Sequence, residues 1–152
     1  MKVIAVTGSA GCGKTTYAKK LARAKGYLIL DLTKLIKKYK LYESYDKKLD
    51  TYEVDTDELS EFLKDVIKGL KKEGWKGVVL DGHLSHYLSP RIIDEVHVMK
   101  CDIKTLRKRL TKRGYSKRKI EENIEAEIME TCIIEAKEMG HKIKIVRRKR
   151  NK

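Results

Sequence analysis

The sequence has no apolar run long enough to cross a membrane, and it has very little proline, phenylalanine or tryptophan. Each of these three residue types occurs once among 152 residues. A chain of this length fits one domain with one core, and no repeat or low-complexity linker divides residues 1–152. No signal peptide precedes the first predicted strand, which already contains Val3, so we expect a cytoplasmic protein with no membrane contact.

Cysteine is also scarce. Cys12, Cys101 and Cys132 are the three cysteines, and their spacing matches no pattern typical of metal binding. Three cysteines cannot all pair with one another. We therefore interpret them as reduced thiols, as is usual inside cells.

Acidic residues are fewer than basic residues. Lys and Arg number 36 against 22 Asp and Glu, which gives a net charge of +14. This excess favours polyanionic partners such as nucleotides, and also RNA or a ribonucleoprotein particle. The alternative is a source organism whose proteins are rich in Lys and Glu, as in hyperthermophiles. That alternative explains the abundance of charge but not its sign.

A glycine-rich stretch follows the first predicted strand. Residues 8–15 read Gly-Ser-Ala-Gly-Cys-Gly-Lys-Thr, the G-x-x-x-x-G-K-T pattern of a phosphate-binding loop. The apolar run at 2–7 precedes it, and a helical pattern at 15–24 follows it. Strand, loop and helix therefore occur in the order that this chemistry requires, which argues against a chance match.

The loop residues have distinct expected roles. Gly8, Gly11 and Gly13 let successive backbone N–H groups converge on one phosphate. Lys14 reaches the β- and γ-phosphates, and the Thr15 hydroxyl is a candidate Mg²⁺ ligand. We therefore expect ATP and Mg²⁺ as cofactors.

The rest of the chain alternates short apolar runs with helical periodicity. Further strands are predicted at 27–30, 78–81, 95–99 and 142–146. Further helices are predicted at 32–41, 55–74, 103–112 and 116–139. This alternation predicts an α/β fold with a five-stranded parallel sheet flanked by helices. Ligands of such sheets lie at the carboxyl ends of the strands.

Residues 42–54 are polar, rich in tyrosine and without clear periodicity. Long irregular segments are often functional, so this one is a candidate flap for a second substrate. The alternative is a plain surface loop.

Asp81 ends an apolar strand, where a phosphate-loop fold places its Mg²⁺ carboxylate. His83 follows closely and is a candidate for orienting a water molecule or polarising Asp81, with an exposed loop histidine as the equal alternative. We assign His86 no role. Arg91 is placed at the top of the next strand, where it either binds a second phosphate or is a surface charge.

Basic residues are concentrated before Gly114. Arg109 and Arg113 are candidate ATP-binding residues, because arginines that close over a transferring phosphoryl group stabilise its charge. An arginine-bearing turn between two helices is typical of a lid, although a solvated or RNA-binding basic face remains open. Asn123 and Glu127 lie beside the buried face of the next helix, so they either pair with the basic helix or face the site. Residues 147–152 form a basic tail that is disordered or binds phosphate.

Several of these strings together resemble the adenylate kinase isoenzyme 6 family (the CINAP or Fap-seven type) in an archaeal form. They are the phosphate-binding loop, LYESYD at 41–46, LDGH at 80–83, PR at 90–91 and RLTKRGYSKRKIEENIEAEI at 109–128. The similarity runs to about Met139. It implies a P-loop, adenylate kinase-like fold with a monophosphate-binding flap at about 31–54 and a short lid at about 112–122.

The resemblance also implies roles for individual residues. Gly11, Gly13, Lys14, Thr15 and Thr16 match the positions that bind ATP phosphates. Asp81 and His83 match a motif that is important for ATP hydrolysis, and Arg113 matches a lid arginine that contacts ATP. Members of the family act on AMP and are linked to maturation of the small ribosomal subunit through a ribosomal protein.

Two functions of different classes remain. The first is an adenylate kinase that converts ATP and AMP to two ADP with Mg²⁺, by positioning and charge stabilisation. The second is an ATP-switched assembly factor that binds a ribosomal protein or rRNA, with incidental kinase activity. A kinase for another small molecule is a third interpretation.

Overall fold

The computed structural model describes residues 1–48 and 51–147. The strands are β1 Lys2–Gly8, β2 Leu28–Asp31, β3 Ser44–Asp46, β4 Thr51–Glu53, β5 Gly77–Asp81, β6 Glu95–Lys100 and β7 Ile143–Arg147. The helices are α1 Lys14–Lys25, α2 Leu32–Lys38, α3 Thr56–Lys72, α4 Ile103–Lys112, α5 Lys117–Ile128 and α6 Thr131–Glu138. A short 3₁₀ turn spans Ser85–Tyr87.

Five strands form one sheet in the order β2-β5-β1-β6-β7, and every neighbouring pair is parallel. This confirms the predicted five-stranded parallel sheet. Val6 of β1 lies opposite Asp81 of β5, and Gly8 lies opposite Met99 of β6. The register therefore sets the carboxyl end of β5 beside the start of the phosphate-binding loop.

Both faces of the sheet are buried, which explains why its central strands are continuous apolar runs. Alternate residues point to opposite faces. Val3 and Ala5 of β1 belong to one core cluster, whereas Val6 belongs to the other. Helices α2, α3 and α6 contribute buried side chains to the first cluster, and α1, α4 and α5 contribute them to the second.

The segment between β2 and α3 is more ordered than the sequence indicated. Helix α2 ends at Lys38 rather than near residue 41, and the segment 42–54 contains an antiparallel hairpin of β3 and β4. The ring of Tyr52 lies 4.6 Å from that of Tyr42 and 5.0 Å from that of Tyr45, measured between centroids. Tyrosine packing therefore stabilises strands too short to show a periodic pattern.

Two aspartates mark the limits of this segment. Asp31 caps α2 by accepting a hydrogen bond from the backbone N–H of Lys34 at 3.1 Å. Asp55 caps α3 by accepting from the N–H groups of Asp57 and Glu58. Both helices thus begin at side-chain caps on either side of the hairpin.

The single helix predicted at 116–139 is wrong. The structure has two helices there, α5 and α6, separated by Glu130 in the left-handed conformation with φ 54°. The break leaves Ile128 and Met129 exposed while Ile133 is buried in the core. The carboxylate of Glu130 pairs with Lys100 at 2.9 Å, which ties the break to the end of β6.

Arg91 does not lie at the carboxyl edge of the sheet, contrary to the prediction. After β5 the chain must return to the amino-terminal edge of the sheet before β6 can run parallel to β1. Asp94 has already reached that edge, because its backbone and side chain both bond Val3. Arg91 is exposed on this return segment.

Residues 148–152 of the basic tail, and 49 and 50 of the flap segment, lie outside the described residues. None of the helices in the part that is described is long and apolar enough to span a membrane.

Candidate active site

The phosphate-binding loop joins β1 to α1 in a conformation that leaves N–H groups available. Gly13, the residue before α1, has φ 83°, and no side chain caps the helix. The first turn carries no acidic residue, so its N–H groups and its dipole favour an anion. A Cβ atom on Gly8 would lie 2.7 Å from the carbonyl oxygen of Met99, so only glycine fits there.

Thr15 and Asp81 meet at the point where β5 ends. The Thr15 hydroxyl donates to a carboxylate oxygen of Asp81 at 2.8 Å, and Asp81 is only 5% exposed. A hydroxyl and a carboxylate are both oxygen donors of the kind that Mg²⁺ prefers. The two residues therefore fit a Mg²⁺ ion, which neutralises phosphate charge in phosphoryl transfer. Thr16 follows in the same turn and is exposed.

Lys14 lies at the end of the loop, where α1 begins, and its ammonium group donates to the carbonyl oxygen of Ser9 at 3.4 Å. Burial lowers the pKa of Lys14, and the negative charge of Asp81 partly opposes that shift. A partly dehydrated ammonium group interacts more strongly with a phosphate than a hydrated one does.

His83 lines the same cleft and its side chain is exposed. The surrounding protein, with Lys14 and Lys119 as nearby positive charges, lowers the pKa of His83 to about 4. The imidazole is therefore neutral at pH 7. The carbonyl of His83 accepts a hydrogen bond from the Thr7 hydroxyl, which ties this loop to β1.

Arg109 and Arg113 reach the loop from α4 and its end. The Arg109 guanidinium donates to the carbonyl oxygen of Gly11 at 2.9 Å. Arg113 ends α4, and Gly114 with φ 79° turns the chain toward α5. An ion pair between Arg107 and Glu121 joins the two helices. The segment predicted as a lid, at about 112–122, therefore contains the turn between α4 and α5, which lies beside the phosphate-binding loop.

A cavity of about 560 Å³ runs from this loop to the flap segment. At one end its walls carry Lys14, His83, Arg113, Tyr115, Lys119 and Asn123. At the other end they carry Thr33, Ile36, Lys37, Tyr52 and Val54. The cavity therefore joins a cationic end to a more apolar one, and the flap predicted at 31–54 contributes the second wall.

The sequence interpretation missed a hydrogen-bonded cluster on the wall of this cavity, formed by His86, Tyr87 and Glu135. His86, which was assigned no role, is buried and lies 2.7 Å from the Thr7 hydroxyl and 3.3 Å from a Glu135 carboxylate oxygen. Tyr87 donates to the other oxygen of Glu135. Burial, with His83 and His141 nearby, lowers the pKa of His86 to about 4, so the imidazole is neutral at pH 7 and its contact with Glu135 is a hydrogen bond rather than an ion pair.

The cysteines also differ from the prediction of reduced thiols. Cys12 and Cys101 form a disulfide with a Cα–Cα distance of 5.3 Å, and Cys132 is free. Parallel pairing of β1 and β6 brings the two together across 89 residues, which sequence spacing did not reveal. Their sulfur atoms and a carboxylate oxygen of Glu127 lie within 4.8 Å of one another. The disulfide makes this group a covalent link between the loop and the end of β6.

Comparisons with known proteins identify the family of the chain. A family model described as an AAA domain matches residues 4–130. A Methanocaldococcus jannaschii protein named "Putative adenylate kinase" is 41% identical over 134 residues, covering 88% of this chain and 71% of that protein. The chain belongs to the family of these archaeal proteins, which carry the name "Putative adenylate kinase". Another member with the same name, from Pyrococcus furiosus, is 43% identical over 134 residues, which cover 88% of this chain and 68% of that protein.

Solved structures share the fold at low sequence identity. Shikimate kinase from Bacteroides thetaiotaomicron superposes with a TM-score of 0.55 at 16% identity, covering 96% of this chain and 85% of the other. The YorR protein of Bacillus subtilis, solved with phosphorylated GDP, gives 0.58 at 16% identity with the same coverage. The fold is therefore that of a phosphate-loop kinase.

Proposed function

We propose that this protein transfers the γ-phosphoryl group of ATP to AMP, with Mg²⁺, and forms two ADP. The observation that carries the proposal is the contact between Thr15 and Asp81 beside Lys14, at one end of a cavity that continues to a second substrate wall. The names of the archaeal family members support the same reaction.

The proposed roles follow from position. The N–H groups of the loop around Gly11 and Gly13 bind the ATP phosphates, and Lys14 follows the transferring phosphoryl group. Thr15 and Asp81 hold the cation, which supplies charge neutralisation when it is bound. Arg113 closes from the lid and stabilises the transferred charge. Arg109 donates a hydrogen bond to the loop and so keeps the ATP-binding side of the cleft ordered. Thr16 lies at the exposed edge of that side.

The acceptor end favours a phosphate-bearing substrate. Lys37 lines that end of the cavity, and its ammonium lies 5.6 Å from the centroid of the Tyr52 ring. A cation next to an aromatic face suits a nucleotide, which offers both a phosphate and a base.

A hydroxyl acceptor, as in a small-molecule kinase, would call for a general base. Among the described residues that line the cavity, Glu135 carries the carboxyl group. Both of its oxygens are bonded, one by Tyr87 and one by His86. Burial, with Glu138 nearby, raises the pKa of Glu135. This bonded carboxyl group is better suited to holding α6 in place than to accepting a substrate proton.

A second candidate function is ATP hydrolysis coupled to assembly of the small ribosomal subunit through a ribosomal protein or rRNA. The neutral imidazole of His83 near Lys14 favours hydrolysis, because it is able to accept a hydrogen bond from an attacking water. The net charge of +14 favours a polyanionic partner. The resemblance to the isoenzyme 6 type adds to this candidate.

Chromatography of nucleotides after incubation with Mg²⁺ and ATP, alone and then with each monophosphate, tests the proposal. Adenylate kinase activity predicts that AMP strongly accelerates loss of ATP and that two ADP form for each ATP consumed. Slow release of ADP and phosphate that no monophosphate accelerates would contradict it and favour the second candidate. Lys14→Ala is the control for contaminating kinases, since it removes the phosphate-binding ammonium group.

A further inference from the structure

Glu127 is a buried acid at the last turn of α5, and its carboxylate contacts two other parts of the molecule. It is 8% exposed. One carboxylate oxygen accepts from the Ser9 hydroxyl at 2.7 Å, and the other accepts from the backbone N–H of Cys101 at 3.3 Å. The end of α5, the phosphate-binding loop and the end of β6 therefore converge on one carboxylate.

The bond to Ser9 continues to the residue that binds phosphate. The carbonyl oxygen of Ser9 accepts from the ammonium of Lys14 at 3.4 Å and from the N–H of Cys12 at 3.2 Å. A shift of Ser9 would therefore move the acceptor that holds Lys14 and the turn that shapes the loop. Bonds to a carboxylate are stronger and more directional than neutral ones, so Glu127 is able to fix Ser9 in place.

The same helix also faces the cavity. Lys119 and Asn123 precede Glu127 by eight and four residues, which places all three on one side of α5. The Asn123 amide donates to the carbonyl of Lys119 at 2.8 Å, and both side chains line the cavity. Helix α5 therefore carries cavity residues at its start and bonds the loop at its end.

We propose that Glu127 is a positioning residue, which acts through Ser9 to hold the phosphate-binding loop and Lys14 in the geometry that binds ATP. This inference rests on the proposed ATP site. It assigns Glu127 no direct contact with substrate. The bond from the Cys101 N–H anchors the same carboxylate to the end of β6.

A double-mutant cycle with Ser9→Ala and Glu127→Gln tests the proposal. The readout is the Kd of a non-hydrolysable ATP analogue, measured by calorimetry with Mg²⁺. Ser9→Ala removes the bond, and Glu127→Gln removes its charge and one of the two acceptor oxygens, so we expect each single change to raise the Kd about tenfold. Because both act through one bond, the double variant should bind no more weakly than the weaker single variant.

Ser9→Thr keeps the hydroxyl and should keep near-normal affinity, whereas Ser9→Ala should not. Glu125→Gln is the matched control, because Glu125 is an exposed acid on the same helix. It should leave the Kd unchanged. If Glu127→Gln proves too unstable to purify, the contrast between Ser9→Ala and Ser9→Thr still tests the bond.

Three outcomes would overturn the inference. They are additive effects in the cycle, equal affinities of Ser9→Ala and Ser9→Thr, and a lower melting temperature for Glu127→Gln with an unchanged Kd. The last outcome would show a purely structural role. Failure of the wild-type protein to bind the analogue would instead refute the proposed ATP site itself.

Discussion

Reduction of the Cys12–Cys101 disulfide should lower the thermal stability of the protein by a large and calculable amount. The link spans 89 residues. The loop-closure entropy for a loop of this length is worth roughly 4–5 kcal/mol at 25 °C. For a chain of about 150 residues, 1 kcal/mol changes the melting temperature by about 2–4 °C. We therefore expect reduction to lower it by roughly 10–15 °C.

Differential scanning calorimetry with and without a dithiol reductant measures this shift, and alkylation in denaturant counts the free thiols. The oxidised protein should label at one cysteine and the reduced protein at three. Cys101→Ser should have the melting temperature of the reduced wild type, and the reductant should not change it. Cys132→Ser should keep the full response, because Cys132 is free.

Two results would refute the reasoning. One is the labelling of all three cysteines in protein that has been exposed to air and to a small-molecule disulfide without reductant. That result would restore the reduced thiols expected from the sequence. The other is a complete disulfide whose reduction leaves the melting temperature unchanged, which would show that chain entropy is not the source of stability here.

Three further predictions concern the site. Asp81→Asn should raise the Mg²⁺ concentration for half-maximal turnover about tenfold or more, since it removes a ligand charge, and a Mg²⁺ titration checks this. His83→Ala should lower ATP hydrolysis about 100-fold while lowering transfer to AMP much less, and equal losses in the two assays would refute the water-orienting role. Unfolded histidine takes up a proton below about pH 6.5, but folded His86 resists protonation to about pH 4. Stability in urea should therefore fall between these pH values by up to about 3 kcal/mol. His86→Gln should weaken that dependence, and an unchanged pH profile would contradict the assignment.

Much of the fold was predictable because local signals and global arrangement agree. The run before Gly8 is apolar on both faces, as a central parallel strand must be. The loop pattern indicated the helix that begins at Lys14, and Asp81 at the end of another apolar run indicated the neighbouring strand. These features depend on residues close together in sequence or on a known order of elements.

The errors arose where distant residues decide the local structure. The break at Glu130 depends on Lys100 and on packing against the sheet, and neither contact is visible in the periodicity of the helix itself. The disulfide required knowledge that β1 and β6 are neighbours. His86 was overlooked because its partners, Thr7 and Glu135, come from the start and the end of the chain.

Glu127 was noticed as a polar residue near a buried face, but its partner was not identified. The sequence offered the basic helix as one candidate, and Glu121 on the same helix does pair with Arg107 there. Glu127 instead bonds a small hydroxyl residue in the phosphate-binding loop. Serine gives no charge signal, so only the three-dimensional arrangement reveals this pair.

The tyrosine hairpin has a consequence for how substrate preference changes over evolutionary time. It lies between two capped helices, and it contributes no strand to the main sheet. Changes within it therefore alter one wall of the cavity while the chemistry at the phosphate-binding loop is preserved. Under the proposed function, a lineage exchanges one acceptor for another by changing residues 33–54, which include the α2 side chains on the same wall. The same property makes this short segment a natural target for designed libraries that seek a new acceptor.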